Sequence, residues 1–326
     1  MTIAVTAIFL SEHYGGPAML FALLLGIAFN FLGNEPSWRQ GIGFSSQTIL
    51  RLGVGLLGIR ITFGDIASLG FSVVGTIAGL VTLTIGCGFL MARFTRRPWR
   101  FALISGGAVA ICGASAALAI AAILPASRDT ERNTLFTVMA VTTLSTIAMV
   151  LYPALFSSLG LDGREIGFLI GATIHDVAQV VGAGYSVSQE AGDTATIVKL
   201  FRVALLPVVL FTILIALNFF PRQEADEAGQ DGHERKRGKL LLIPWFMVMF
   251  LVLAFVNSLV DLPAGIRDAA ATLSYWMLVI AIAALGVKTS IRAMLDLGRG
   301  HVTTMVAETL ILLAGALVAL TFLLDL

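Results

Sequence analysis

The chain has 326 residues, of which 57% are hydrophobic and 13% are charged, and its mean hydropathy is +0.92. Soluble domains carry about a quarter charged residues, so this composition excludes a soluble globular protein and indicates a polytopic membrane protein. The net charge of +1 gives no sign of a nucleic-acid partner, and we expect none.

Several functional classes have no support in the sequence. Cys87 and Cys112 lie in apolar segments without metal-ligand spacing, so they predict neither a metal site nor a disulfide framework. No Walker motif, complete dinucleotide fingerprint or zinc motif is present, so we expect no cofactor. No set of nucleophile, base and orienting group is recognisable, so we expect no enzyme. The N-terminus lacks the basic region of a cleaved signal peptide and is expected to be retained.

Apolar runs predict an all-α protein with about ten transmembrane helices. Residues 2–11 would extend only about 15 Å as a helix, so we interpret them as a half-helix or interfacial segment. The ten predicted spans are 17–32, 44–63, 68–92, 100–126, 133–158, 163–187, 194–220, 240–260, 265–287 and 302–324. Runs of this length satisfy their backbone hydrogen bonds in lipid only as helices.

Lysine and arginine in the loops predict the orientation of these spans, because cytoplasmic loops are enriched in both. Ten spans put 14 loop Lys and Arg residues on one face, with Arg164 among them, and four on the other. The four are Arg60, Arg128, Arg132 and Arg267. We interpret residues 1–326 as a single membrane domain in which 221–239 is a cytoplasmic linker between two helical halves.

Two segments from opposite halves of the chain are similar in sequence. Residues 57–62 read Leu-Gly-Ile-Arg-Ile-Thr, and residues 285–290 read Leu-Gly-Val-Lys-Thr-Ser. The loop charges orient these spans in opposite directions, and oppositely oriented repeats are typical of secondary transporters. The match is short enough for chance similarity between apolar segments, and it does not divide ten spans into two fives. We nevertheless expect an inverted-repeat transporter architecture with broken helices.

Span six contains the clearest indication of a functional site. His175, Asp176 and Gln179 lie in the middle of an apolar run that is flanked by Gly171 and Gly184. Ionisable groups near the membrane midplane are costly and usually belong to a pathway or a binding site. Helical spacing places Gln179 one turn from both ionisable residues. The alternative is a polar contact between helices without a role in transport.

Span four is built from small residues and glycines. Tight helix packing alone is one explanation. The other is a discontinuous helix, broken near Cys112 and Gly113, whose second half starts at Ala114 and Ser115 and offers free N–H groups to an anion. Under this interpretation, spans four and six break at 112–113 and 175–176, and the two breaks meet near the midplane.

Charged residues within other spans favour an anionic substrate weakly. Lys199 and Arg202 are one turn apart in span seven, and Arg51 lies about 10 Å inside span two. Glu308 lies in span ten. Snorkelling to headgroups or structural pairing are the alternatives for these residues. Asp176 could instead bind a cation or, with His175, carry a proton.

These motifs resemble the YeiH-type family of integral membrane proteins, for which sulfate export has been suggested. The resemblance rests on 111–116, on 171–184 with its Ile-His-Asp, and on 199–202 followed by Pro207. It implies a multi-pass secondary carrier of the inner (plasma) membrane, with paired broken helices that cross at the centre. The family also leads us to expect a fuller first helix than residues 2–11 provide, which leaves the helix count open.

The sequence therefore predicts a secondary transporter of a small anion, such as sulfate or a related sulfur oxyanion, coupled to protons or sodium ions. An anion channel and a membrane-embedded enzyme are the alternatives. The predicted partners are the anion, a coupling ion and the lipid bilayer, and a homo-oligomer is left open. The predicted substrate-binding residues are Cys112, Gly113, Ser115, His175, Asp176, Gln179, Lys199 and Arg202.

Overall fold

A computed structural model describes the chain except for residues 15, 16, 63, 65, 66, 68, 125–127, 220–244, 261, 290–298, 323, 325 and 326. Every regular element among the described residues is helical. The predicted linker 221–239 lies outside the described residues. The α-helices are α1 (Thr2–Tyr14), α2 (Ala18–Ala28), α3 (Pro36–Phe44), α4 (Leu50–Leu57), α5 (Gly70–Phe94), α6 (Trp99–Ala110), α7 (Ala114–Ile123), α8 (Arg128–Ser158), α9 (Gly163–Thr173), α10 (Val177–Val187), α11 (Gln189–Ala204), α12 (Leu206–Phe219), α13 (Trp245–Leu259), α14 (Ala264–Lys288) and α15 (Arg299–Phe322).

Within the described ranges, five helices are long and apolar enough to cross a membrane. They are Gly70–Phe94, Arg132–Ser158, Gln189–Leu217, Gly265–Lys288 and His301–Phe322. These segments correspond to predicted spans three, five, seven, nine and ten. The count of ten crossing helices is not confirmed, because several of the remaining predicted spans form shorter pieces.

The first two predicted spans differ from the expected single helices. α2 is followed by a 3-10 segment, Asn30–Asn34, and α1 packs against α2. α3 and α4 are joined by a π-helical segment, Ser45–Ile49, so the second span begins at Pro36 and not at residue 44. Its first turns are polar and were therefore not recognised as part of a membrane helix, although proline at the first helical position is a common start.

Predicted span four reverses direction at its break. A Cβ atom at Gly107 in α6 would overlap the side chain of Ile120 in α7. If the helix continued in one direction through the break, these two residues would lie about 20 Å apart. α7 therefore folds back along α6, and the pair forms a helical hairpin.

Predicted span six forms a second hairpin. Arg164 at the start of α9 lies 4.0 Å (Nε to Oε1) from Glu190 at the start of α11. A Cβ atom at Gly163 would lie 2.7 Å from Glu190 Oε2, and one at Gly184 near the end of α10 would lie 2.8 Å from Gly192 Cα. Both ends of the α9–α10 hairpin are thus at the same face of the protein.

The two hairpins enter from opposite faces. The ring of His301, near the start of α15, contacts Phe101 in α6 and Phe136 in α8, with centroids 5.0 and 4.8 Å away. The starts of α6, α8 and α15 therefore share one face, which we call the basic face. α8 crosses from there to the opposite face, where α9 begins.

The hairpins correct the predicted topology. The prediction treated each break as an interruption of a crossing helix, but the arms contain only 10 to 12 residues, too few to cross. Among the described residues, Arg128 and Arg132 move to the basic face and Arg164 leaves it, so the bias of loop Lys and Arg toward that face increases. The basic face is predicted to be cytoplasmic on this stronger bias.

A ridge of glycines joins the second hairpin to α11. Gly163, Gly167 and Gly171 recur every four residues along α9. A Cβ at Gly167 would lie 2.7 Å from Thr194 Cβ, and one at Gly171 would lie 2.6 Å from Ala195 O. Small residues at this spacing let helix backbones approach closely in lipid. α9 and α11 therefore pack tightly as parallel helices over the length of α9.

Cysteines at the two ends of α8 distinguish the hairpin topology from ten crossings. Asp129 and Leu159 are both exposed. In a Cys87→Ala, Cys112→Ala background, a membrane-impermeant maleimide should label Leu159→Cys on intact cells and Asp129→Cys only after the membrane is opened. Gln189→Cys, outside in both topologies, is the positive control. Ten crossings would give the reverse result at Asp129 and Leu159.

Candidate functional site

The tips of the two hairpins meet at the centre of the protein. α6 ends at Ala110 and α7 begins at Ala114, whereas α9 ends at Thr173 and α10 begins at Val177. Both breaks are therefore at the predicted positions. Gly113 has a φ of 64°, a conformation that favours glycine, and a Cβ there would lie 3.6 Å from His175 Cβ. The predicted meeting of the two breaks is confirmed.

Lys199 of α11 connects the two tips. Its side chain is fully buried, and Nζ donates hydrogen bonds to Ile111 O at 2.6 Å and Ile174 O at 2.9 Å. One carbonyl belongs to each tip. The last carbonyls of a helix have no partner within the helix and carry partial negative charge. The ammonium group therefore satisfies one such carbonyl from each hairpin.

Arg202, one turn further along α11, binds more carbonyls of the same two helix ends. Nε and Nη2 donate to Ala110 O at 2.9 and 2.8 Å, and Nη2 also donates to Val109 O at 2.7 Å. Nη1 donates to Gly171 O at 3.1 Å and Ile174 O at 3.0 Å. Every nitrogen of the guanidinium group is thus bound to backbone, so α6 and α9 are capped by charged side chains from a third helix.

His175 is fully buried between the tips and α15. Its Nδ1 lies 3.2 Å from Val109 O, and because a carbonyl only accepts, Nδ1 carries a hydrogen. Nε2 lies 3.1 Å from Thr309 Oγ1, which also lies 2.8 Å from Met305 O. The single hydroxyl hydrogen can point to either neighbour. Nε2 accepts when it points to the imidazole and donates when it points to Met305, so His175 can change protonation without moving.

Asp176 caps the helix that follows it. Its Oδ1 accepts from Ala178 N at 2.8 Å. Ser145 of α8 holds the same turn, because its Oγ accepts from the N–H groups of His175 and Asp176 at 3.2 and 3.1 Å. Sequence reasoning missed Ser145. Its signal is a group of four hydroxyl residues in a largely apolar span, Thr142, Thr143, Ser145 and Thr146.

The side chain of Gln179 bonds to α8. It is fully buried, and its Nε2 donates to Thr146 Oγ1 of α8 at 2.7 Å. The side chain therefore ties α10 to α8.

A cavity of about 910 Å³ extends from the basic-face ends of α13 and α14 to the hairpin tips. Trp245, the first residue of α13, and Lys288, the last of α14, line its outer part. Its volume lies within the range of small-molecule sites in proteins. The polar residues of its wall are Ser46, Gln47, Arg51, Ser115, Thr142, Thr143, Asp176, Lys288 and Thr289.

Three of the eight predicted site residues, Cys112, Ser115 and Asp176, line this cavity. Gly113 lies between the first two in the chain. The other four residues are outside the lining and are bound to backbone or side-chain groups behind the tips. They are His175, Gln179, Lys199 and Arg202. The geometry therefore gives no support to Lys199 and Arg202 as direct anion ligands.

The electrostatics of the cavity favour an anion. Arg51 and Lys288 contribute two positive charges to its wall, and Asp176 contributes one negative charge. α7 and α10 both begin at the cavity, and the first N–H groups of a helix, together with its dipole, attract anions. The Ser115 hydroxyl adds a donor. The sequence analysis did not identify Lys288 as a site residue, because a lysine at the end of a predicted span is usually part of a loop.

The π-helical segment shapes one wall of the cavity. Ser46, Leu50 and Val54 line it, as do Gln47 and Arg51, so lining residues recur every four positions. π-segments are rare and are frequent at functional sites. The wider turn brings Arg51, interpreted in the sequence as a ligand or a paired residue, into the wall of the cavity.

A family model and several known proteins match this chain over nearly its whole length. The family model described as Conserved hypothetical protein 698 matches residues 1–304. The UPF0324 membrane protein TauZ of Paracoccus denitrificans is 50% identical over 311 residues, covering 95% of this chain and 89% of the relative. A UPF0324 membrane protein of Chlorobaculum tepidum is 48% identical over 313 residues, covering 96% and 85%.

A more distant UPF0324 membrane protein, from Bordetella bronchiseptica, is 34% identical over 284 residues, covering 85% of each chain. No solved structure matches the chain. The family match and the identities confirm the family that the motifs of predicted spans four, six and seven indicated. The chain belongs to the family of Conserved hypothetical protein 698, the UPF0324 membrane proteins.

Proposed function

We propose that the protein is a secondary transporter of a small anion in the cell membrane and that the cavity is its substrate site. The observation that carries this proposal is the convergence of Arg51, Lys288 and the first turns of α7 and α10 on one cavity. Cationic side chains and helix N-termini are the groups that bind oxyanions in proteins. Binding of an anion by these groups involves no chemical reaction, so we propose a transporter in preference to a membrane-embedded enzyme.

The arrangement of helices around the cavity supports a carrier mechanism. One side of the cavity is formed by the π-segment with α4, α13 and α14, and the other by the tips with α7, α8 and α10. Two hairpins of opposite orientation, with tips that meet at the centre, are the arrangement that an inverted repeat produces. Movement of these two sides against each other would expose the tips to either face in turn.

A carrier is also favoured over a channel by the tips themselves. Lys199 and Arg202 bind both tips from behind, so the cavity ends at a packed centre. A continuous pore would need this centre to separate, at the cost of leaving several buried carbonyls without partners. We therefore assign transport to alternating exposure of a closed site.

Sulfate or a related sulfur oxyanion is the substrate class that we propose, on the basis of the family resemblance and the charges of the cavity. One molecule of liquid water takes about 30 Å³, so the cavity has room for a hydrated oxyanion or for an organic sulfonate. Asp176 faces the same space, and its charge repels an anion at close range. The anion therefore binds on the side of Arg51 and Lys288, and Asp176 keeps its role as the cap of α10.

Counterflow in proteoliposomes tests this site, with sulfate, sulfite, thiosulfate, taurine and bicarbonate as the panel. Arg51→Gln and Lys288→Gln should each raise the apparent KM for the transported anion roughly tenfold or more, because a hydrogen bond to a charged group contributes about 1.5–3 kcal/mol. Arg267→Gln, exposed at the other end of α14, is the matched control and should leave KM unchanged. Unchanged KM in both cavity variants would exclude the proposed binding site.

Thermal unfolding of purified protein tests the roles of Lys199 and Arg202. Lys199→Met and Arg202→Met should lower Tm substantially, since each buried carbonyl left without a partner costs about 1–3 kcal/mol. Arg202→Lys should recover only part of the loss, because an ammonium cannot match the fork of the guanidinium. An unchanged Tm together with a raised KM would instead make these residues anion ligands.

A further inference from the structure

A second polar site lies apart from the cavity, where α5, α6 and α15 meet. Glu308 of α15 is fully buried, and its Oε1 accepts a hydrogen bond from Ser105 Oγ of α6 at 2.8 Å. In the described part of the chain, Glu308 Oε2 is buried and has no hydrogen-bond partner. Neither residue lines the cavity, so this carboxyl group has no place in the proposed anion site.

Two glycines make room for the carboxyl group. A Cβ atom at Gly88 of α5 would lie 2.9 Å from Glu308 Oε1 and 3.1 Å from the Cα of Gly106 in α6. The close approach of α5 and α6 at these glycines leaves a space that the carboxyl group fills. Glu308 is thus held in a defined position by three helices.

The surroundings of Glu308 fit a carboxyl group that carries a proton. No ion pair to Glu308 is formed within the described residues. An ionised carboxylate buried without a cation, with one oxygen unpartnered, is strongly unfavourable. A protonated group avoids this cost, and its hydrogen can reside on the unpartnered oxygen.

α15 contacts the hairpin tips through the residue that follows Glu308, on a neighbouring face of the helix. Thr309 Oγ1 lies 3.1 Å from Nε2 of His175, which precedes the cavity residue Asp176. Of the titratable groups on packed elements, Cys87 of α5 precedes Gly88, which lies against Glu308 Oε1, and His175 contacts Thr309, the residue after Glu308. The cations of α11 are bound to tip carbonyls, as described above.

We propose that Glu308 binds and releases the coupling proton of the carrier, a proposal that rests on the proposed transport function. In the described conformation the proton is bonded to the carboxyl group. On release the O–H bond breaks, the proton passes to a water molecule, and the electron pair stays on the carboxylate. The charge that appears between α5, α6 and α15 then requires water or a partner, so the three helices separate and the tips move with Thr309 and His175.

Infrared spectra of purified protein test the proton site without any assay of transport. At neutral pH the wild type should show the C=O stretch of a buried protonated carboxyl group, shifted in D2O, and Glu308→Gln should lack that band. Ser105→Ala should keep the band at a changed frequency, because the hydrogen bond to Oε1 is lost. If the spectra of wild type and Glu308→Gln show the same carboxylic-acid bands, Glu308 holds no proton and the proposal is overturned.

Proteoliposomes with an imposed pH gradient test coupling. Glu308→Gln resembles the protonated form, so it should fold and retain sulfate counterflow while losing gradient-driven accumulation at least tenfold. Glu190→Gln, an exposed carboxylate at the start of α11, is the control and should accumulate sulfate as the wild type does. Accumulation by Glu308→Gln at the wild-type level, or driven equally by a sodium gradient, overturns the proposal. Absence of any anion flux in the wild type would count against the transport function instead, and the infrared result would still decide the proton site.

Discussion

The centre of this protein depends on two cations that bind backbone and not ligand. Lys199 and Arg202 donate to carbonyl groups at the ends of α6 and α9, which arrive from opposite faces. The residues that carry these carbonyls are buried, so a helix can end there only if protein groups satisfy its last carbonyls. With both ends capped, the chain can turn at each tip, and α7 and α10 can begin beside the cavity.

Charged residues inside the membrane are thereby divided among separate tasks. Arg51 and Lys288 face the cavity, Asp176 caps a helix at its inner end, and Glu308 of α15 is enclosed by α5 and α6. Their positions along the chain give no indication of this division, because each residue is a polar interruption of an apolar run. The groups that surround each side chain decide its role.

Local features of the centre could be predicted from the sequence, and long-range ones could not. The breaks at 112–113 and 175–176 follow from glycine and polar residues at those positions, and they are present. The direction of the chain after each break depends on contacts such as Gly107 with Ile120, and a continuing helix would use the same residues. Likewise, Lys199 was predicted to bind substrate, with snorkelling as the alternative, but its partners are main-chain atoms of other helices, which leave no trace in the sequence.

The glycine ridge of α9 has a consequence for how substrate preference can change. α9 lies directly against α11, and α11 binds both tips through Lys199 and Arg202. The hairpins and α11 are therefore packed and hydrogen-bonded as one unit. Substitutions within that unit disturb the fold. The facing wall, formed by the π-segment, α4 and α14, carries Arg51 and Lys288 without serving the tips. Under the proposed transport function, substitutions in this wall would therefore change anion selectivity while leaving the capped centre intact.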